Sequence, residues 1–430
     1  MPESLISRLG GERLTHSRII AAALLLAFVT INAQPAELTA TLRGHTKKIL
    51  AIEFSHDGQI VATGSKDGTV RLWNAVTGES LATIVGDSEV SRIDWSSDDR
   101  KLAITYSGEK SWELAVWEVP VGQQPVLRQR VETIYRFEWS PDGKTFLTLD
   151  DQLNVNVCDV NSRQVTHTIT PAFSPYQPHT VSFIANGQRI LTASVDRPVQ
   201  LWDVASGKLV DLYQPNSDIP GGNYPSPNVP LLSLDKRVLL SGNLNVYEAV
   251  TGKLLSTIDG GSSAISFSPD GNNVLTVRYD AEKKMSHRQS YLSLRRIDNG
   301  QEVSAFQVPE GIRQIVWSPD GKTLAIVGLS FSPRVIDATT GRENGRLPYG
   351  NCWPWTMCGS DGCEPLNFSA DGALLLKEKE PLKLWDTSNV SLVEVLKVAH
   401  LPAVFSPTDG RLLATASDDR KSVLLWRLKR

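Results

Sequence analysis

One turn pattern recurs along this chain of 430 residues: an aromatic residue followed by Ser-x-Asp-Gly. It reads Phe54-Ser-His-Asp-Gly58, Trp139-Ser-Pro-Asp-Gly143, Phe267-Ser-Pro-Asp-Gly271, Trp317-Ser-Pro-Asp-Gly321 and Phe368-Ser-Ala-Asp-Gly372. Looser copies begin at Trp95, Phe183 and Phe405, and a faint one spans 232–236. About twenty residues after each copy stands a second anchor. The anchors centre on Trp73, Trp117, Cys158, Trp202, Tyr247, Arg295, Ile336, Trp385 and Trp426. Turn and anchor recur in phase, so each repeat must be one copy of a single structural unit.

Between anchors the chain alternates apolar and polar residues, as in Thr69-Val70-Arg71-Leu72-Trp73 and Pro198-Val199-Gln200-Leu201-Trp202. Period two with β-branched enrichment predicts strands. The Asp-Gly and Thr-Gly pairs suit tight turns, where glycine supplies a positive φ. Each unit therefore holds four short strands in about 44 residues, which is the blade of a β-propeller. The fold class expected is all-β, a single closed propeller over 37–430. Nine units are counted; eight remain if 231–250 is an irregular insertion. The chain opens on a lone strand at 37–43 and ends on a third strand at 422–428. The opening strand can thus complete the last sheet and remove an open seam.

These residues resemble the WD40-repeat family. The fullest copy runs from Leu42 to Gly78, with Gly44-His45, Ala62-Thr63-Gly64-Ser65-Lys66-Asp67 and Leu72-Trp73. The resemblance implies a buried hydrogen-bond network of a His, a strand hydroxyl, a turn Asp and the Trp. Here that set is His45, Thr63 or Ser65, Asp67 and Trp73. Asp196 with Trp202, and Asp419 with Trp426, supply parts of it. His400 looks like another Gly-His position but sits too close to Phe405 to align. Units five to seven lack the Trp. The resemblance also implies a scaffold that binds other proteins, an analogy at the level of the fold.

The N-terminus reads as a targeting segment. Arg8, Arg13 and Arg18 precede an apolar run from Ile19 to Ile31, and Asn32-Ala33 offers a small residue for cleavage. Those 13 residues span about 20 Å as a helix, short of the roughly 30 Å hydrocarbon layer. A signal peptide over 1–33 and a secreted or periplasmic protein are expected. The alternative is an uncleaved membrane anchor, since the uncharged run extends to Ala36. A membrane is a partner only in that case. A net charge of −3 gives no electrostatic reason to expect nucleic acid.

Five long connections interrupt the strands, at 106–112, 170–179, 213–230, 279–290 and 349–365. Each falls between a unit's second and third strands or between units, so all five are expected on one face. Repeat proteins often bind through the face that carries their insertions. Candidate protein-binding residues there are Trp112, Tyr224, Lys283, Lys284, Arg288, Trp353, Trp355 and Met357, because aromatic and Arg residues anchor interfaces. The last connection holds Cys352, Cys358 and Cys363. Their C-x5-C-x4-C spacing lacks the C-x-x-C of redox motifs and the paired elements of zinc sites. In an oxidising compartment two of the three pair, either Cys352 or Cys358 with Cys363, and staple an aromatic loop. Cys158, at an anchor position, reads as a small buried hydrophobe.

No H-E-x-x-H, G-x-S-x-G, Walker or dinucleotide motif occurs, and the seven histidines are scattered. The leading expectation is a non-enzymatic protein-interaction scaffold with no cofactor and no metal. The rival is an enzyme or small-ligand binder with its site in the central channel. Inward-facing acidic or His residues at one mouth of that channel would favour the rival.

Overall fold

The computed structural model describes residues 36–107, 112–120, 122–173, 179–194, 197–213, 231–240, 244–258, 263–279, 289–309, 312–328, 332–348, 366–377 and 381–428. Among these, thirty-five strands form eight antiparallel sheets. Seven sheets have four strands. The eighth has seven, because the strand Val126–Trp139 serves two units. Its first part pairs with Trp112–Glu118 and its last part with Thr145–Asp150. Nine four-stranded units result, consistent with WD40 blades. Their first strands begin at Ile49, Val90, about Thr133, His179, Leu231, Ser263, Ile312, Leu366 and Ala399, and they are numbered one to nine below. Unit five, which the sequence left open as an insertion, is a complete sheet although its first strand is only Leu231–Leu232.

Eight units take their strands in chain order. Unit nine does not: its three strands Ala399–Phe405, Leu412–Ser417 and Ser422–Arg427 are completed by Glu37–Arg43. Thr41 lies across from Leu424 and Leu42 across from Val423. The first strand of the chain therefore covers what would be an unpaired row of backbone groups on the last.

Burial grades outward across each sheet. The second strand Ile60–Ser65 is buried along almost its whole length, whereas the fourth strand Ser80–Val85 buries only Ala82 and Ile84. A second strand is packed on both faces, so it reads as a near-continuous apolar run. The cores lie between sheets. Each of nine apolar clusters draws on two consecutive units. One of them joins Leu412, Ala414, Val423 and Leu425 of unit nine to Phe54, Val61 and Trp73 of unit one, with Leu42 between.

A β-bulge recurs where the third strand carries its anchor residue. Leu72 pairs with Ala82 but Trp73 pairs with Ser80, so Leu81 is skipped. The same shift occurs at Trp117, Cys158, Trp202, Tyr247, Arg295, Ile336 and Trp385, and at Trp426 against the first strand. A bulge twists an edge strand and spoils it as a template for pairing with another chain. Nine outer strands would otherwise offer nine such edges.

Leu42 is 1% exposed and stands where the ends of the chain meet. Leu42→Ala is expected to cost roughly 2–5 kcal/mol. The check is the urea unfolding midpoint, which should fall well below that of Leu38→Ala on the same strand, where Leu38 is 45% exposed.

Candidate functional site

The two ends of each sheet differ. At one end are the Ser-x-Asp turns joining first to second strands. Ser55 Oγ donates to Asp57 Oδ1 at 2.6 Å and accepts from the Ile60 amide at 2.9 Å. The same pair of bonds recurs at Ser96, Ser140, Ser233, Ser268, Ser318 and Ser369. Each serine is at most 3% exposed. Neighbouring turns touch: Asp99 accepts from the amides of His56 and Asp57, and Ser97 Oγ donates to the Pro141 carbonyl. Gly58, at φ +71°, lies so close to unit nine that an added Cβ would sit 2.3 Å from Thr408 Oγ1. At units nine, one, two and three these contacts pack this end closely.

The opposite end carries the connections between second and third strands and between units. The five long connections all leave from it. Two lie between second and third strands, from Lys101–Ser107 to Trp112–Glu118 and from Asn273–Tyr279 to Gln289–Arg296. Three link units, from Gln164–Ile169 to His179–Ile184, from Leu209–Tyr213 to Leu231–Leu232, and from Glu343–Arg346 to Leu366–Phe368. Of the candidate binding residues, Trp112 is described and is 51% exposed. It pairs in register with Ile134, whose neighbour Tyr135 is 71% exposed. Tyr135 was not picked out from the sequence, because it falls inside a strand rather than a long connection. Tyr224, Lys283, Lys284, Arg288, Trp353, Trp355 and Met357 lie outside the described residues, as do Cys352, Cys358, Cys363 and the segment 1–33. Cys158 is buried and free, and burial pushes its thiol up to about 12.

Unit one holds the fullest hydrogen-bond network. Trp73 Nε1 donates to Thr63 Oγ1 at 2.9 Å, and His45 Nε2 lies 2.8 Å from the same oxygen. His45 Nδ1 faces Asp67 Oδ2 at 3.2 Å, and the Thr46 amide donates to that carboxylate at 2.7 Å. The node is Thr63. Ser65 stands outside it, donating to the Lys47 and Lys48 carbonyls at 3.0 Å. Register decides between the two hydroxyls: Trp73 lies across from Val61, and Thr63 is the next residue on that face. Burial holds the His45 imidazole below its usual range, against the pull of Asp67. Burial also pushes the Asp67 carboxyl up, but hydrogen bonds from Thr69 and Thr46 overcome this and hold it well below the carboxylate range.

Other units keep fragments. Trp202 donates to Thr192 and Trp426 to Thr415, both at 2.9 Å. Asp196 lies outside the described residues. Asp419 is not joined to Trp426; it caps its own turn, accepting from Ser417 Oγ and the Lys421 amide. His400 lies within a first strand and meets Asp418 at 2.8 Å, so it is no counterpart of His45. In unit three the anchor is Cys158, and the Thr148 hydroxyl is buried beside the thiol without an indole donor.

The first strands carry a feature the sequence reading missed. Glu53, Asp94 and Glu138 each precede the aromatic that opens a Ser-x-Asp turn, in three consecutive units. Glu138 accepts from Ser182 Oγ at 2.9 Å and pairs with Lys236. Arg92 Nη2 pairs with Asp94 at 2.6 Å, although burial still pushes the Asp94 carboxyl up. Burial, with the Asp94 charge added and Arg92 opposing, pushes Glu53 up to about 8. Among the described residues no three His, Cys, Asp or Glu side chains are placed to hold a metal ion.

The repeating turn and the His45–Thr63–Trp73–Asp67 network define the class of unit. The family model described as "WD domain, G-beta repeat" matches residues 36–74, so that segment is a WD40 repeat. Among curated proteins it is similar to angio-associated migratory cell protein of Homo sapiens, at 25% identity over 182 residues, 42% of this chain and 41% of that protein. Eukaryotic translation initiation factor 3 subunit I of Candida albicans is 26% identical over 188 residues, 40% of this chain and 53% of that one. Guanine nucleotide-binding protein subunit beta of Oryza sativa subsp. indica is 26% identical over 290 residues, 59% of this chain and 73% of that one. The matches thus cover about half, or less, of the first two relatives.

Two outcomes check the network and the buried acid. Thr63→Val, which leaves Trp73 Nε1 and His45 Nε2 without their partner, is expected to cost roughly 1–3 kcal/mol, and Thr148→Val less than about 1 kcal/mol. Chemical denaturation of both variants tests the difference. Glu53 has a folded pKa above its unfolded value, so the folded state holds the extra proton. Its contribution is present below about pH 4.5 and is lost as pH rises through about 8. Glu53→Gln should therefore flatten the alkaline side of the stability profile, gaining on the wild type near pH 8.5 but not near pH 4. Parallel profiles would show that Glu53 is not the group responsible.

Proposed function

We propose that this chain is a non-enzymatic β-propeller scaffold that binds other proteins through the face carrying its long connections. The observation that carries the reading is the placement of those five connections, all at the sheet ends opposite the packed Ser-x-Asp turns. The exposed Trp112 and Tyr135 at that end supply aromatic area of the kind that anchors interfaces. A single nine-bladed ring over 37–430 is supported by the pairing of Glu37–Arg43 with Ser422–Arg427 and by the apolar cluster between units nine and one. Two relatives are named as subunits, of a translation initiation factor and of a guanine nucleotide-binding protein. A role within assemblies accords with both.

The rival reading, a catalytic or ligand site along the axis, would draw on Glu53, Asp94 and Glu138. Two of these are already bound by cations of the chain, Asp94 by Arg92 and Glu138 by Lys236. Glu53 holds its proton at neutral pH. That internal pairing supports the scaffold instead. We further read 1–33 as a signal peptide that exports the protein, with a disulfide among Cys352, Cys358 and Cys363; the alternative is a membrane anchor. An oxidised, exported loop would present Trp353 and Trp355 at low ordering cost.

A photo-crosslinker placed at 112, 135, 353 or 355 is expected to capture the same protein partner. One placed at Asp298, near the opposite sheet end, should not. Equal capture from both ends would overturn the assignment of the face, and the mass of the mature N-terminus decides between cleavage and anchoring.

A further inference from the structure

Unit six carries Arg295 at the anchor position, and a cavity of about 350 Å³ lies on its sheet. The register shows the correspondence. Trp73 lies across from Val61, with Thr63 two residues on; Arg295 lies across from Val274, with Thr276 two residues on. Thr63 Oγ1 reaches the carbonyl of Arg71, two residues before Trp73, and Thr276 Oγ1 reaches that of Ser293, two before Arg295. The position that Trp73 holds in unit one is held in unit six by Arg295, and the cavity beside it is lined by Thr276, Arg278, Tyr291, Arg295 and Glu302, among others.

Its charge is unbalanced. Arg295 is tied down: Nη1 donates to the Gly300 carbonyl at 3.1 Å and Nη2 to Glu302 Oε2 at 3.0 Å. Glu302 also accepts from Ser293 Oγ at 2.7 Å. The remaining nitrogen, Arg295 Nε, is buried without an acceptor. Arg278 lies over the Tyr291 ring, 5.3 Å from its centroid, and among the described residues it has no carboxylate partner. Among the described residues, two guanidinium groups face one carboxylate and leave one positive charge beside the Tyr291 ring. A bare guanidinium at a partly enclosed site favours a planar anion that takes two parallel hydrogen bonds. The Tyr291 ring offers apolar area for the body of such a ligand.

We propose that the cavity beside Arg295, which holds the anchor position of unit six, is a binding site for a small carboxylate with an apolar body, held by Arg278 against Tyr291. The proposal rests on the cavity and its charges and not on the protein-binding reading of the long connections. It is a site no local motif announces, because Arg278, Tyr291 and Arg295 come from two strands separated by a long connection.

The test is titration of the full chain with benzoate, followed by calorimetry, with benzamide as the uncharged analogue and sulfate as an anion lacking an apolar body. Benzoate should bind with a Kd of about 1 mM, as expected for a ligand of so few atoms. Arg278→Gln, at an exposed side chain that leaves the core intact, should weaken it by about tenfold or more. Arg295→Trp should abolish binding and raise the melting temperature, because it removes the Arg295 charge and its unpaired Nε and gives an indole Thr276 as its acceptor. Benzamide or sulfate binding as tightly as benzoate, unchanged affinity in Arg278→Gln, or no benzoate binding by the wild type would each overturn the proposal.

Discussion

The structure depends on the pairing of Glu37–Arg43 with Ser422–Arg427. These strands are almost four hundred residues apart in the chain, yet they form one sheet. Closing so long a loop has an entropic cost that rises only slowly with length. The reward is larger: a full ladder of backbone hydrogen bonds, and a core in which Leu42 meets Val423 and Leu425 on one side and Ile49 and Phe54 on the other. Without that strand, unit nine would lack its fourth member and unit one would face an incomplete neighbour. The other inter-unit cores join segments that are neighbours in sequence, apart from Ala36 packing against the core of units eight and nine, so the long-range constraint is carried where the first strand meets the last.

The Ser-x-Asp turn performs the complementary local task. A buried serine hydroxyl with one proton and two lone pairs gives the proton to Asp and accepts from the amide five residues ahead. The tight turn is thereby fixed without leaving a buried polar atom unpaired. Unit four shows what its absence does. Ile184-Ala185-Asn186-Gly187 replaces the motif, the turn tightens into a 3-10 turn, and Ala185 and Asn186 take φ of 49° and 53°. That conformation strains an alanine. A cavity of about 680 Å³ adjoins the same turn, lined by Ile184, Leu234, Lys236, Leu255 and Ile297.

Much of this was legible because a repeat amplifies weak signals. The opening strand at 37–43, the closing strand from 422 and the positions of the long connections all follow from keeping nine turns and nine anchors in phase. What phase alone does not give is the choice within a strand. Thr63 and Ser65 lie on one face, and only the pairing of Trp73 with Val61 selects Thr63. Glu53, Asp94 and Glu138 are ordinary alternating polar residues until three successive sheets bring them to one register position. Tyr135 is exposed because Val126–Trp139 runs unbroken through two units, a continuity with no turn residue to mark it. The recurring bulge is equally silent in sequence, since it arises from how the fourth strand meets the third.

The anchors vary unevenly along the chain. Units one, four and nine keep both the Trp and the threonine that receives its N–H, and their indoles are held at 2.9 Å. Unit eight keeps Trp385, but Lys377 occupies the threonine position, and the indole nitrogen is buried without a partner. Unit six keeps Thr276 and loses the Trp. Losing the acceptor leaves one polar atom unpaired, a local cost of roughly 1–3 kcal/mol, and the packed volume is unchanged. Replacing the indole by Arg295 instead exchanges an apolar body for a charged one, which must find its partners in the Gly300 carbonyl and Glu302. In unit three the Cys158 position is packed shut by Phe146 and its neighbours, whereas in unit six a polar anchor, Arg295, leaves a cavity with Arg278 and Tyr291 on its wall.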